Sequence, residues 1–106
     1  RTAVDRELNV GVIGFGQMGQ IHAGIYHKLP GVKLAAVCEY NDERRQLAEK
    51  EYGCAVYKDY HDLLSNPEIE AVSIVLPDNM HRGAVEAAVA NKKHILLEKV
   101  VVAIKK

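Results

Sequence analysis

Neither sign of charge is in excess in this sequence of 106 residues. Its 14 Lys and Arg balance 14 Asp and Glu, leaving zero net charge with five neutral histidines. A chain without a cationic surplus lacks the electrostatic footprint of a nucleic-acid binder, and it lacks a polybasic membrane anchor as well. No apolar run approaches a bilayer span, and the opening Arg1-Thr2-Ala3-Val4-Asp5 has none of the apolar core of a signal peptide. The two cysteines, Cys38 and Cys54, are too few for a disulfide framework and lack the C-x-x-C spacing of zinc or redox sites. They read as plain thiols of a reducing compartment, hence a cytoplasmic setting. His27, His61 and His94 have no carboxylate or cysteine at ligand spacing, so no metal site is expected. Repeats, low-complexity tracts and internal linkers are missing too. What remains, 48% hydrophobic and 26% charged, is the composition of one ordinary globular domain.

What is present is alternation. Residues 9–14 (NVGVIG) form a short β-branched run ending in glycine, the signature of a buried strand. From Gln17 to Leu29, Met18, Ile21, Ile25 and Leu29 recur at helical spacing before Pro30-Gly31 stops the helix. Residues 32–38 (VKLAAVC) read as a second strand. Asn41 then caps a helix reaching Tyr52, which Gly53 closes in the left-handed region. A brief strand at 55–57 follows, then a short helix capped by Asp59 and ended by Ser65-Asn66-Pro67. Residues 71–75 (AVSIV) form a fourth strand. Asp78 caps a helix through Ala90 with an apolar stripe of Val85, Ala88 and Val89, and residues 94–97 (HILL) form a fifth strand. Near-continuous apolar strands separated by helices imply a parallel sheet covered on both faces. Right-handed crossovers make it a doubly wound, Rossmann-like α/β fold of about five strands. Cys38 and Cys54 then sit toward opposite edges of the sheet, beyond disulfide reach.

Gly14-Phe15-Gly16-Gln17-Met18-Gly19 has the form G-x-G-x-x-G. By itself the spacing is weak, but here it leaves the first strand and opens the first helix. Gly14 permits the tight turn, Gly16 lets a pyrophosphate approach the backbone, and Gly19 lets the helix pack closely on the sheet. The unpaired N–H groups at the helix start make an anion site. Glu39 ends the second strand 20 residues past Gly19, where its carboxylate can accept both hydroxyls of an adenosine ribose. A 2′-phosphate would be repelled there, and Tyr40 supplies no cation, although Arg44 and Arg45 lie a turn onward. The pattern favours NAD over NADP.

At the far end, Leu76-Pro77-Asp78-Asn79-Met80-His81 follows the fourth strand, and the fifth runs into Glu98-Lys99. In a parallel sheet both lie at the carboxyl edge, beside the glycine loop. A lysine placed there can hold a nicotinamide or substrate oxygen and donate a proton during hydride transfer. With the opening V-G-V-I-G-F-G-Q-M-G-Q-I-H, the acidic end of strand two, P-D-N-M-H before an alanine-rich helix, and K-H-I-L-L-E-K, the sequence resembles the N-terminal domain of the Gfo/Idh/MocA oxidoreductases. These are the glucose–fructose oxidoreductase and inositol dehydrogenase family, and the resemblance runs from Asn9 to Lys99. It implies a domain that binds NAD or NADP, with a C-terminal α/β domain for substrate and oligomerisation, and hydride transfer on sugars, polyols and related molecules. It also implies that Glu98 and Lys99 match the Glu-Lys of a Glu-Lys-Pro motif whose lysine lies beside the nicotinamide, and that Pro77, Asn79 and His81 line the cofactor. Two departures stand out: Val100 replaces the motif's proline, and Lys92 replaces a glycine before the fifth strand, with Asn91 as a left-handed substitute.

On this reading the chain is a dinucleotide-binding half, cut after the Glu98-Lys99 strand end. Lys99 alone is not a catalytic apparatus, so the chain is expected to be inactive by itself. A second reading keeps the nucleotide site and drops catalysis, leaving a sensor or scaffold module. Apolar faces left by the missing domain would favour a homo-oligomer. Several residues have plain readings. His22 is as well explained as a polar helix residue near the sheet edge, and His81 as a capping or packing residue. Tyr26, Tyr52, Tyr57 and Tyr60 read as packing residues with wet hydroxyls. Residues 42–51 form the solvated face of the second helix, with Arg45 and Glu49 paired across a turn.

Overall fold

The structure is a computed structural model, and it describes residues 7–96. The elements are β1 (Leu8–Ile13), α1 (Gln17–Lys28), β2 (Val32–Cys38), α2 (Asp42–Tyr52), β3 (Ala55–Tyr57), α3 (Tyr60–Leu64), β4 (Ala71–Ile74), α4 (Asp78–Ala90) and β5 (His94–Leu96). The strands form one sheet in the order β3-β2-β1-β4-β5, and every neighbouring pair is parallel. The doubly wound fold is therefore present, with its direction of winding reversing between β1 and β4. That reversal opens a crevice at the carboxyl ends of the strands.

Each face of the sheet has its own core. Val10 and Val12 of β1 pack with Phe15, Ala23, Tyr26, Leu34 and Val37 on one face. Ile13 packs with Ala36, Cys38, Leu63, Leu64 and Val72 on the other. Burial on both faces is what makes the strand sequences continuously apolar. Cys54 packs against the first cluster and Cys38 belongs to the second. Both are free thiols, separated by the sheet as well as along it.

The caps fall largely where the sequence places them. Asn41 Oδ1 accepts from the Arg44 N–H at 3.0 Å, and Gly53 closes α2 at φ 61°. Asp59 Oδ1 accepts from the His61 N–H at 2.8 Å. At α4 the cap residue is Pro77, and Asp78 lies inside the first turn, where its charge complements the helix dipole instead.

Two helices present a different inner side from the one their apolar spacing suggests. In α1, Gly19, His22, Ala23 and Tyr26 are buried, while Met18 and Ile21 are 45% and 44% exposed. The reason is the approach of Gly19 to the sheet, which fixes the helix rotation and turns Met18 outward. In α4 the inner residues are Ala84 and Ala88, and Val89 is 63% exposed. Small residues let that helix lie close to the strands. The expected Arg45–Glu49 pair does not form: Arg45 Nη2 contacts Asp42 Oδ1 at 2.6 Å and Nη1 turns back to two carbonyls.

The left-handed residue before β5 is Lys92 itself, at φ 60°, and Asn91 stays at φ −91°. The Lys92 N–H donates to Val89 O and the Lys93 N–H to Ala88 O, both at 3.0 Å. These are the two bonds of a Schellman motif, whose geometry puts the left-handed residue at Lys92. A side chain is strained in that region, so Lys92→Gly is expected to stabilise the fold by about 1 kcal/mol. Urea unfolding measures this, and an unchanged midpoint would contradict the assignment.

Candidate cofactor site

The glycine loop spans β1 to α1, and two of its glycines are required by the chain's own backbone. Gly14 has φ 102°, and a Cβ there would lie 2.2 Å from Val75 O. A Cβ on Gly19 would lie 1.8 Å from Gly14 O. Gly16 differs, since a Cβ there would meet nothing within 4 Å. Its lack of a side chain serves nothing in the protein and leaves the backbone approachable from outside. Hydrogen bonds from Gly14 N–H to Cys38 O and from Val75 N–H to Ile13 O, both 2.8 Å, tie the ends of β2, β1 and β4 together beneath the loop.

The start of α1 is left open. Gly16 is its cap residue and makes no side-chain bond, and the first turn holds no acidic residue. The helical ladder begins with Gln20 N–H to Gly16 O at 2.9 Å, so the N–H groups of Gln17, Met18 and Gly19 precede it. By contrast, α2 and α3 have side-chain caps and acidic first turns. Among these three helices, α1 is the one whose dipole and donors await an external anion.

Glu39 follows β2 and does more than the sequence reading assigns to it. Its Oε1 accepts from the Phe15 N–H and its Oε2 from the Asn41 N–H, both at 2.8 Å. The carboxylate thus joins the glycine loop to the β2–α2 turn. Phe15 contributes through that N–H, while its ring is buried in the core. A carboxylate has about four lone-pair positions, so Glu39 retains acceptor capacity for ribose hydroxyls. Arg45 is committed to this turn, donating to Glu39 O at 3.0 Å and Tyr40 O at 3.2 Å. Arg44 faces the cleft instead, joined by a cation the sequence reading overlooked, Lys58.

That cleft has a volume of about 690 Å³ and is lined by Gly14, Gly16, Glu39, Tyr40, Arg44, Lys58, Asp59, Asp62 and Pro77 among others. The contribution of the β3–α3 turn was readable in principle. The residues just past any strand of a parallel sheet share the ligand edge, and Lys58 and Asp59 stand there. Cys38 forms part of the cleft wall, its Sγ donating to Lys58 O at 3.7 Å. Burial pushes its thiol up to about 12, with Asp59, Glu39 and Asp62 adding to the shift. It is therefore a packing group with no nucleophilic role near neutral pH.

A second cavity of about 300 Å³ lies across the glycine loop, lined by Met18, His22, Ser73, Asp78, His81 and Leu96 among others. His22 is buried at the wall of this cavity, with Nδ1 2.9 Å from Ser73 Oγ. The Tyr26 hydroxyl is wholly buried without a partner in hydrogen-bonding geometry. Ser73 is still near enough to offset part of the rise that burial imposes on its pKa. Gln17 and Asn79 are exposed on the first turns of α1 and α4. Glu98 and Lys99 lie outside the described residues. Among the described residues no group of three His, Cys, Asp or Glu side chains could hold a metal ion, and no helix is long and apolar enough to cross a membrane.

Residues 8–103 match the Gfo/Idh/MocA oxidoreductase family, specifically its NAD-binding Rossmann fold. The chain belongs to this family. An inositol 2-dehydrogenase of Rubrobacter xylanophilus is 36% identical over 91 residues, covering 85% of this chain and 26% of that protein. A UDP-N-acetylglucosamine 3-dehydrogenase of Acidithiobacillus ferrooxidans is also 36% identical, over 87% of this chain and 28% of that protein. The structure of scyllo-inositol dehydrogenase from Lactobacillus casei, with bound cofactor NAD(H) and scyllo-inositol, superimposes with a TM-score of 0.80 at 33% identity. That match covers 85% of this chain and 27% of that one. The chain thus spans about a quarter of the length of the relatives it matches. It is an NAD-binding Rossmann domain of an oxidoreductase family, and the residues of the cleft fit that cofactor: open donors at α1, an approachable Gly16 and a carboxylate at β2.

Two outcomes follow. Gly16→Val should keep the native unfolding midpoint, because its Cβ has free space, and should abolish measurable NAD binding in a calorimetric titration. Cys38 bears on alkaline stability. Its folded pKa of about 12 stands above the unfolded thiol value near 9, so its contribution is intact below pH 9 and declines as pH rises from there toward 12. Cys38→Ala should therefore lose stability less steeply than the native chain across that window, and parallel slopes would contradict this.

Proposed function

We propose that the chain is the cofactor-binding half of a hydride-transferring oxidoreductase acting on a polyol, a sugar or a related small molecule. In this reading a further α/β domain binds that substrate. The observation that carries it is the juxtaposition, on one edge of the sheet, of the uncapped start of α1 and the Glu39 carboxylate. The N–H groups of Gln17, Met18 and Gly19 face the pyrophosphate over Gly14 and Gly16, with Phe15 relaying its own N–H to Glu39. Glu39 takes the adenosine ribose hydroxyls. With Asp59 and Asp62, the Glu39 carboxylate outnumbers the cations Arg44 and Lys58 that line the same cleft, which favours NAD over NADP. Pro77, Asn79 and His81 lead from the cleft toward the second cavity, which accommodates the nicotinamide half.

Bound there, the nicotinamide supplies the hydride acceptor or donor. The chain's part is to orient it and to limit its exposure to water. By family resemblance Glu98 and Lys99 take part in the site, with Lys99 holding or protonating the substrate oxygen. The two relatives of equal identity carry different substrates in their names, an inositol and a UDP-sugar. In this reading substrate choice rests with residues beyond this domain. The two unpaired thiols support a reducing, cytoplasmic setting.

Titration of NADH fluorescence with the full chain tests the reading: saturable binding is expected, and its absence up to millimolar cofactor would overturn it. Glu39→Ala should weaken NADH binding at least tenfold. It should also lower stability by about 1–2 kcal/mol, because the Phe15 and Asn41 N–H groups lose their acceptor.

A further inference from the structure

We propose that the ring of Tyr40 is the platform on which the adenine of the cofactor stacks, with Lys58 steadying the ring. This rests on the dinucleotide reading above and names a contact within that site. The direction of the ligand follows from the sheet order. An anion held at the start of α1 lies over β1, and Glu39 places the ribose one strand over, at the end of β2. The same path continues outward toward β3, where the cleft is lined by Tyr40, Arg44, Lys58 and Tyr60. The base must fall among these.

Among the described residues Tyr40 is the most exposed large hydrophobic side chain, at 75%. An aromatic ring left in water at the mouth of a cleft gains from covering by a flat apolar surface. The ring stands on a rigid base. Tyr40 O accepts from Arg45 Nη1 at 3.2 Å, and the residues on either side are joined by the Asn41 N–H to Glu39 Oε2 bond. Lys58 Nζ lies 4.9 Å from the ring centroid, a cation–π contact that restrains the side chain before any ligand arrives. The other candidates are less suited. Tyr60 is only half-exposed and already packs against the His61 ring, with centroids 4.5 Å apart. Arg44 has no comparable restraint on its plane. Tyr40 therefore presents a pre-positioned π-face beside the ribose acceptor.

The experiment compares ADP-ribose, which carries the adenine, with nicotinamide mononucleotide, which does not. Each is titrated calorimetrically into the full chain, into Tyr40→Ala and into Tyr40→Phe. Alanine should weaken ADP-ribose and NAD on the order of tenfold, the scale of one base–aromatic stack. It should leave nicotinamide mononucleotide unchanged, and phenylalanine should bind like the native chain. The Tyr40 side chain is exposed and outside the core, and circular dichroism of each variant checks that the fold is kept. Native binding of ADP-ribose with equal binding by Tyr40→Ala would overturn the stacking assignment alone. Equal losses in Tyr40→Phe would also overturn it, because they would point to the hydroxyl. Failure of the native chain to bind ADP-ribose or NAD would overturn the dinucleotide reading itself.

Discussion

Gly19 meets Gly14 backbone against backbone, with no space for a Cβ: one on Gly19 would lie 1.8 Å from Gly14 O. Much of the site's geometry depends on that contact. It draws the first turn of α1 onto the end of β1, so the helix's unpaired donors point across the crevice where the sheet order reverses. It also sets the rotation of α1 about its axis. His22, Ala23 and Tyr26 then face the sheet, and Met18 faces the second cavity. A methyl group on Gly19 would push the helix outward and swing those donors off line, and one on Gly14 would collide with the Val75 carbonyl at the end of β4.

Glu39 extends this constraint to the neighbouring strand. Its two oxygens hold N–H groups from different connections, the glycine loop and the β2–α2 turn. The residue that recognises a ribose is thereby also the one that spaces ribose from pyrophosphate. Arg45 reinforces the same turn by donating to two successive carbonyls, so its charge is spent on architecture. The cation left facing the ligand from α2 is Arg44, and Lys58 joins it from the β3–α3 turn. Burial among carboxylates keeps Cys38 protonated, so the thiol at the cleft wall acts as packing.

Local patterns were enough to locate most elements. Continuous apolar strands, the Asn41, Gly53 and Asp59 caps and the glycine loop each depend on a few consecutive residues, and each appears in the structure. Helix rotation was less legible. The spacing of Met18, Ile21 and Ile25 identifies a helix, but which side is buried depends on how closely it approaches the sheet. In α4 the same ambiguity made Val89 look internal, while Ala84 and Ala88 take the inner face because only small side chains fit there. The left-handed position before β5 was assigned one residue early, to Asn91. Propensity favours asparagine, but the register of the two Schellman bonds selects Lys92.

By itself, then, the sequence determined the alternating α/β order, the parallel sheet, and the glycine loop with an acidic residue one strand away. These follow from short-range periodicity and from the conformational limits of single residues. Only the tertiary structure decided which side chains share the cleft. Lys58 is 19 residues from Glu39 in sequence, and His22 and Ser73 are 51 apart. Lys58 and Glu39 share the cleft because parallel strands return each connection to the same edge of the sheet, and His22 reaches Ser73 because α1 packs across the sheet face. That convergence is a property of the fold's topology, and no local window of the sequence contains it.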